Sequence, residues 1–200
     1  MTHERRFDPT KFAKLDAAER RERMPWAAIR AAADLPAHGR LADVGAGTGY
    51  YTFALLDGPV APGLVHAIDP SASMREELSR RAHATGKGDV VKTHLAPAES
   101  LPIADRSVDG VIFGNVFHEL DDPSRALAEA RRVLAPGGRV LVVDWERPDA
   151  ASGEPEIGPP FAHRVAQGDV EAALLSAGLV RVRAHPGFRD VYALTASAPA

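Results

Sequence analysis

Leu41-Ala-Asp-Val-Gly-Ala-Gly-Thr-Gly-Tyr50 decides the fold of this 200-residue chain. Leu41 to Val44 is short and mostly apolar, as a central strand of a parallel sheet should be. Gly45, Gly47 and Gly49 then remove every second side chain. A backbone so stripped turns tightly and lets a ligand approach its amides. The stretch reads as a strand running into a glycine-rich turn, the place where open α/β sheets bind nucleotide-like molecules. Its spacing is G-x-G-x-G, not the G-x-G-x-x-G of the dinucleotide fingerprint.

A tight turn without a ligand would leave the same trace, so the next strand matters. Leu64-Val-His-Ala-Ile-Asp69 ends in an acid 20 residues beyond Gly49. A carboxylate at the tip of the second strand is where such a fold grips ribose hydroxyls. Asp69 also suits a helix-opening role, since Pro70 follows it. Ser73-Met-Arg-Glu76 supplies a capping box for that helix, which leaves Asp69 for the ribose.

Two hundred residues suit one compact domain, given typical sizes of about 100–150 residues. No apolar run approaches the roughly 18–20 residues of a membrane span, and no secretory signal follows Met1-Thr-His-Glu-Arg-Arg. With no cysteine, disulfides, thiolate metal sites and cysteine nucleophiles are excluded, and a cytoplasmic setting is expected. The net charge of −3 comes with interleaved signs. Arg20, Arg21 and Arg23, interrupted by Glu19 and Glu22, read as a solvated helix face, and no nucleic-acid partner is expected. Oligomeric state is not legible.

The first forty residues read as a helical cap (1–40) on a domain spanning 41–200. Asp8-Pro9 and Asp16-Ala-Ala-Glu19 open helices; Pro25 opens another that carries Trp26 and Ile29 inward and ends at Pro36 to Gly39. Residues 7–26, with Phe7, Phe12 and Trp26, are expected to cover the cleft. Strands are expected near 41–45, 64–69, 90–95, 108–113 and 139–144, with helices at 50–57, 73–84 and 123–134 between them. Asp122-Pro123 starts the last of these and Leu134-Ala-Pro-Gly-Gly138 stops it. Ala150 to Pro160 is a loop, either a lid or a long connection. A helix near 169–176 precedes strands at 179–184 and 190–196, which the Pro186-Gly187 turn makes an antiparallel hairpin.

Read in order, Asp43-Val-Gly-Ala-Gly-Thr-Gly49, Asp69, Leu101-Pro-Ile-Ala-Asp-Arg-Ser-Val-Asp109, Asn115-Val-Phe-His-Glu-Leu120 and Leu134-Ala-Pro-Gly-Gly-Arg139 resemble the class I S-adenosylmethionine-dependent methyltransferases. The branch is the small-molecule one that includes ubiquinone/menaquinone biosynthesis enzymes, and the likeness covers about residues 40–145. It implies a Rossmann-like, doubly wound, seven-stranded, mostly parallel sheet of order 3-2-1-4-5-7-6 with a final antiparallel hairpin strand. It also implies S-adenosylmethionine as cofactor and a small-molecule methyl acceptor. By that resemblance Gly45, Ala46, Gly47 and Gly49 lie under the methionine part, with Asp43 steadying the turn or meeting the amino group. Asp69 holds both ribose hydroxyls, and Pro70 and Met74 pack near the adenine. Where relatives often carry an aspartate this chain has Pro97, which leaves the N–H of Ala98, with Glu99, to read the adenine edge. Asn115 meets the methionine portion through its carbonyl or its side chain, and Tyr50 and Tyr51 either border the cofactor or pack the first helix.

For catalysis the candidates are His118, Asp144 and His163, each able to take a proton from a hydroxyl acceptor. His118-Glu119 lacks companions for a metal site, so no metal is expected. Trp145 and Arg164 either border the acceptor or serve packing and a surface ion pair. Two rivals stand beside the transferase: a protein that binds the cofactor without turnover, and a nicotinamide-dependent oxidoreductase. The glycine spacing and the lack of any Tyr-x-x-x-Lys oppose the second. Arsenite methylation would need cysteine thiolates and is excluded.

Overall fold

The computed structural model describes residues 18–147 and 156–200. Phe7, Phe12, the Asp8-Pro9 and Asp16 helix starts, and most of the Ala150–Pro160 loop lie outside them. The described elements are α1 (Ala18–Arg23), α2 (Trp26–Ala33), β1 (Arg40–Val44), α3 (Tyr50–Leu56), β2 (Leu64–Asp69), α4 (Ala72–Ala84), β3 (Val91–Leu95) and β4 (Val108–Gly114). After a 3-10 turn at Phe117–Glu119 come α5 (Pro123–Val133), β5 (Leu134–Trp145), a second 3-10 turn at Phe161–His163, α6 (Gln167–Ser176), β6 (Val180–Ala184) and β7 (Val191–Ser197).

One seven-stranded sheet runs β3-β2-β1-β4-β5-β7-β6. All pairings are parallel except β5 with β7 and β6 with β7. This is the order and the terminal hairpin expected from the sequence. The central strands are apolar on both faces because helices cover both. Ala42, Val44, Val111, Phe113, Val140 and Val142 join the core under α5 and α6. Their neighbours Leu41, Ile112, Leu141 and Val143 join the core under α2, α3 and α4. This alternation is the period-two signature of a strand, doubled.

Three local expectations change. The cap of α4 is Ser71, in extended conformation, whose hydroxyl accepts the Met74 N–H at 3.4 Å; Ser73 lies inside the helix rather than at its cap. Helix α2 stops at Ala33, because Asp34 takes a left-handed conformation with its N–H on the Arg30 carbonyl. Strand β5 begins at Leu134, not at Arg139, since Leu134 already pairs with Val108 before an irregularity at the Gly-Gly step. Asp122 caps α5 through the Arg125 N–H, with Pro123 in the first turn, as the sequence predicts.

Short helix α1 buries none of its own residues. It is held from outside: Arg23 Nε donates to Asp190 Oδ2 at 3.0 Å, and the Arg189 N–H donates to the Arg23 carbonyl. The β6–β7 hairpin thereby fixes the helix.

Candidate active site

Strand order reverses between β1 and β4, so the C-terminal tips of β2, β1 and β4 stand side by side with a crevice at the switch. Val44 is level with Ile68 on one side and Phe113 on the other. The Ile68 carbonyl accepts both the Gly45 and Ala46 N–H groups, at 2.8 and 3.0 Å. Gly45 has φ of +70°, and a side chain there would run into Val116. From the neighbouring tip, Asp69 Oδ2 accepts the Gly47 N–H at 2.9 Å while Oδ1 accepts the Ser71 N–H at 2.8 Å. The carboxylate thus braces the glycine turn and the start of the next helix together.

Asp43 is 1% exposed and faces the same turn. Its Oδ2 accepts the Thr52 hydroxyl at 2.6 Å, and its Oδ1 has no hydrogen-bond partner among the described residues. Burial pushes its pKa up to about 6 and Asp69 adds to the rise, against the Thr52 bonds and the Arg20 charge. At the β4 tip, Asn115 has φ of +55°. Its Oδ1 accepts the Tyr51 hydroxyl at 2.7 Å and Arg20 Nη2 at 3.3 Å. Arginine only donates, so the amide oxygen must face it and the NH2 group must face away. That Nδ2 is buried and without a partner among the described residues.

Two buried groups of opposite sense, an acceptor on Asp43 and a donor on Asn115, therefore flank one glycine turn. Buried polar atoms are nearly always satisfied, so such a pair asks for a ligand with both a cationic donor and an anionic acceptor. The amino-acid end of S-adenosylmethionine has both. The residues present fit the cofactor expected from the sequence.

Of the remaining candidates, Met74 and Ala98 are buried, Pro70 is exposed, and Tyr50 is buried with its hydroxyl on the Met24 carbonyl at 2.8 Å. Glu99 turns its carboxylate to the Asp122 N–H at 3.2 Å, tying the β3–β4 connection to the start of α5.

His118 and Asp144, from the neighbouring tips of β4 and β5, form one unit. Asp144 Oδ1 meets His118 Nδ1 at 2.7 Å and the Trp145 N–H at 2.7 Å, while Oδ2 accepts the His118 N–H at 3.0 Å. Both side chains are buried, and His118 Nε2 lies 3.5 Å from Glu119 Oε1. Burial opposes charge on the imidazole, but the Asp144 carboxylate and then Glu119 outweigh it and hold its pKa up at about 9. His163 sits half-buried in the second 3-10 turn, and no hydrogen bond among the described residues joins it to this pair. Arg164 beside it is buried and donates to the carbonyls of Pro159 (3.0 Å), Glu146 (2.8 Å) and Ile157. These bonds pin the loop to the end of β5. Trp145 packs between the Arg164 guanidinium and the backbone of Gly158.

Arg20 is the site residue that the sequence concealed. Arg20 is no solvated arginine: its guanidinium lies 4.2 Å from the Tyr50 ring centroid and reaches Asn115, 95 residues away. Nothing local in the sequence signals that contact.

The methyltransferase-domain family (type 11) matches residues 42–142, half of the chain and the part that carries the tips of β1, β2 and β4. A ubiquinone/menaquinone biosynthesis C-methyltransferase of Hahella chejuensis is 38% identical over 108 residues, 53% of this chain and 43% of that protein. An uncharacterized methyltransferase of Mycobacterium tuberculosis is 39% identical over 121 residues, 60% of this chain and 45% of that protein. The chain spans less than half the length of the curated relatives it matches. A solved S-adenosylmethionine-dependent methyltransferase of Aquifex aeolicus superposes with a TM-score of 0.84 at 27% identity, over 96% of this chain and 99% of that one. With the family matched from β1 into β5 and its glycine turn in place, the chain belongs to the type 11 methyltransferase-domain family.

Proposed function

We propose that the chain transfers a methyl group from S-adenosylmethionine to a small-molecule acceptor by in-line displacement. The observation that carries this reading is the pair of opposed, unpartnered groups, Asp43 Oδ1 and Asn115 Nδ2, beside a glycine turn braced by Asp69. In the proposal Asp43 takes the ligand's ammonium and Asn115 its carboxylate, with Arg20 adding positive charge. Gly45, Ala46, Gly47 and Gly49 let the methionine chain lie against the backbone, and Tyr50 borders it. Asp69 receives the ribose hydroxyls. Pro70 and Met74 flank the adenine, and the N–H of Ala98, with Glu99 nearby, reads its edge. Residues 1–40 act as the cap of a domain formed by 41–200.

The cofactor supplies an electrophilic methyl group on a sulfonium, which carries the hard part of the chemistry. The protein's work is to hold the acceptor about 3–3.5 Å from that carbon and in line with the breaking bond. Where the acceptor is a hydroxyl, its proton goes to His118 through Nε2, because Nδ1 is taken by Asp144. Asp144 is then a positioning residue, and His163 remains the second candidate base at the acceptor side.

Calorimetric titration with S-adenosylmethionine, S-adenosylhomocysteine and NAD(H) tests the reading. Micromolar binding of the first two and none of the third is expected. Failure of both sulfur ligands to bind would leave the glycine turn as scaffold and remove the methyltransferase assignment.

A further inference from the structure

A groove of about 600 Å³ runs between α3 and α4 and shares only Thr48 and Tyr50 with the turn and its neighbours. Helix α3 presents Tyr50 and Phe53 to it, one turn apart on the same face, and Trp26 of α2 completes an apolar floor. The opposite wall is cationic: Arg80 and Arg81 from the last turns of α4, Lys87 beyond it, and Arg21 from α1. We propose that this groove binds a flat apolar molecule bearing a phosphate, at a site separate from that of the methyl donor.

Charge decides the anion. Four cations line the groove, against Asp57 on its rim and Glu77, which bonds both Arg80 and Arg81. A phosphate monoester carries about −1.5 to −2 at neutral pH and suits a lining in which cations outnumber acids. Glu77 holds the two guanidinium groups in fixed orientation, with Nε to carboxylate distances of 2.8 and 2.6 Å, so little side-chain freedom is lost when an anion arrives. Arg21 is likewise ordered, stacked 4.1 Å from the Trp26 ring centroid. Shape decides the rest: the half-buried rings of Phe53 and Trp26, with the buried Tyr50 beneath them, give a planar body an apolar floor. A fourth observation points the same way. Thr48 lines the groove at 2% exposure, and its hydroxyl has no hydrogen-bond partner among the described residues. That hydroxyl offers the bound molecule a buried polar contact.

The test is calorimetry on the full chain with phenyl phosphate, inorganic phosphate and phenol as separate probes. Phenyl phosphate is expected to saturate and to bind at least about tenfold more tightly than either fragment, because it uses both walls. Arg21→Gln with Arg80→Gln, two exposed positions, should weaken it by about tenfold or more while S-adenosylhomocysteine affinity stays the same. Wild-type affinity should also fall as ionic strength rises. Absence of saturable phenyl phosphate binding overturns the proposal, as does binding that survives the double substitution, or displacement of phenyl phosphate by S-adenosylhomocysteine. Loss of S-adenosylhomocysteine binding in the wild type, with phenyl phosphate binding intact, would instead remove the methyltransferase reading and leave the groove standing.

Discussion

Asp69 accepts the Gly47 N–H at 2.9 Å, so the acid at the tip of β2 and the glycine turn after β1 are one structural unit. Its other oxygen orients the Ser71 N–H at 2.8 Å, at the cap of α4. The carboxylate proposed to hold the ribose also shapes the surface beneath the methionine. Asp69→Ala should therefore weaken S-adenosylhomocysteine binding by about 1.5–3 kcal/mol or more, and it should also lower stability by leaving two backbone donors unmet. Asp69→Asn keeps one acceptor oxygen and should lose less of both. Calorimetry and denaturant unfolding read the two effects separately; an unchanged affinity in the alanine variant would defeat the ribose assignment.

Gly114 ends β4 directly beneath Tyr51. A Cβ there would fall well inside contact distance of the Tyr51 ring. The ring is fully buried against Met24 and holds Asn115 through its hydroxyl, so it has no free space to retreat into. Gly114→Ala is expected to cost about 1–3 kcal/mol of stability by overpacking. It should also release the Asn115 amide and weaken cofactor binding about tenfold or more. Wild-type affinity in a folded Gly114→Ala protein would show that Tyr51 does not set the Asn115 orientation.

The strands were legible because each central strand is buried on both faces and bounded by Gly, Pro or Asp, signals that lie within a few residues. The turn, Asp69 and Asn115 were legible as strand-tip residues for the same reason. The α4 cap was misread because Ser73-x-x-Glu76 has the right spacing, while Ser71 has the extended backbone that capping needs. Leu134 was hidden in a Pro-Gly-Gly stretch that pairs with β4 only through an irregular register. His118 and Asp144 were each visible, but their union depends on β4 and β5 lying in register 26 residues apart. Arg20 was invisible for a stronger reason: its partners Tyr50 and Asn115 belong to other layers of the molecule.

With the ligand's ammonium on Asp43, as proposed, cofactor binding is expected to be linked to a proton. Its pKa of about 6 means that the free protein holds part of a proton on this carboxyl near pH 6. A ligand ammonium beside Oδ1 favours the ionised form and expels that proton. Affinity for S-adenosylhomocysteine should therefore rise with pH between about 5 and 7 and then level off. Titrations at pH 6 in buffers of different ionisation enthalpy should show proton release, and Asp43→Asn should abolish it. Binding heats independent of buffer would disprove the ammonium contact.

The buried His118–Asp144 pair predicts a stability profile. The His118 pKa is raised from 6.5 to about 9 in the folded chain. The pair's contribution is thus fully present below pH 6.5 and lost as pH rises through about 9. Denaturant unfolding at a series of pH values should show this decline in the wild type and its absence in His118→Gln. The same protonation bears on catalysis: as a base, His118 acts only in its neutral form, so transfer to a hydroxyl should accelerate up to pH 9 or so. A flat rate profile would remove His118 from proton transfer and leave it as the clasp between β4 and β5.

Arg20 stands over the Tyr50 ring with one nitrogen on Asn115, which puts its charge at the end of the crevice assigned to the ligand's carboxylate. Arg20→Gln removes the charge, the contact with the Tyr50 ring and the reach to Asn115. A charge-assisted bond is worth about 1.5–3 kcal/mol, so affinity for S-adenosylhomocysteine should fall about tenfold or more. That loss alone would also follow from a loosened α1, and a second ligand separates the two. Decarboxylated S-adenosylmethionine lacks the group that Arg20 is proposed to meet. It should bind the wild type more weakly than S-adenosylmethionine does, and it should bind Arg20→Gln no more weakly than it binds the wild type. The cycle of two proteins and two ligands then isolates the arginine–carboxylate coupling. Equal losses for both ligands would assign Arg20 to holding Asn115 and Tyr50 in place and would take it out of direct contact with the cofactor.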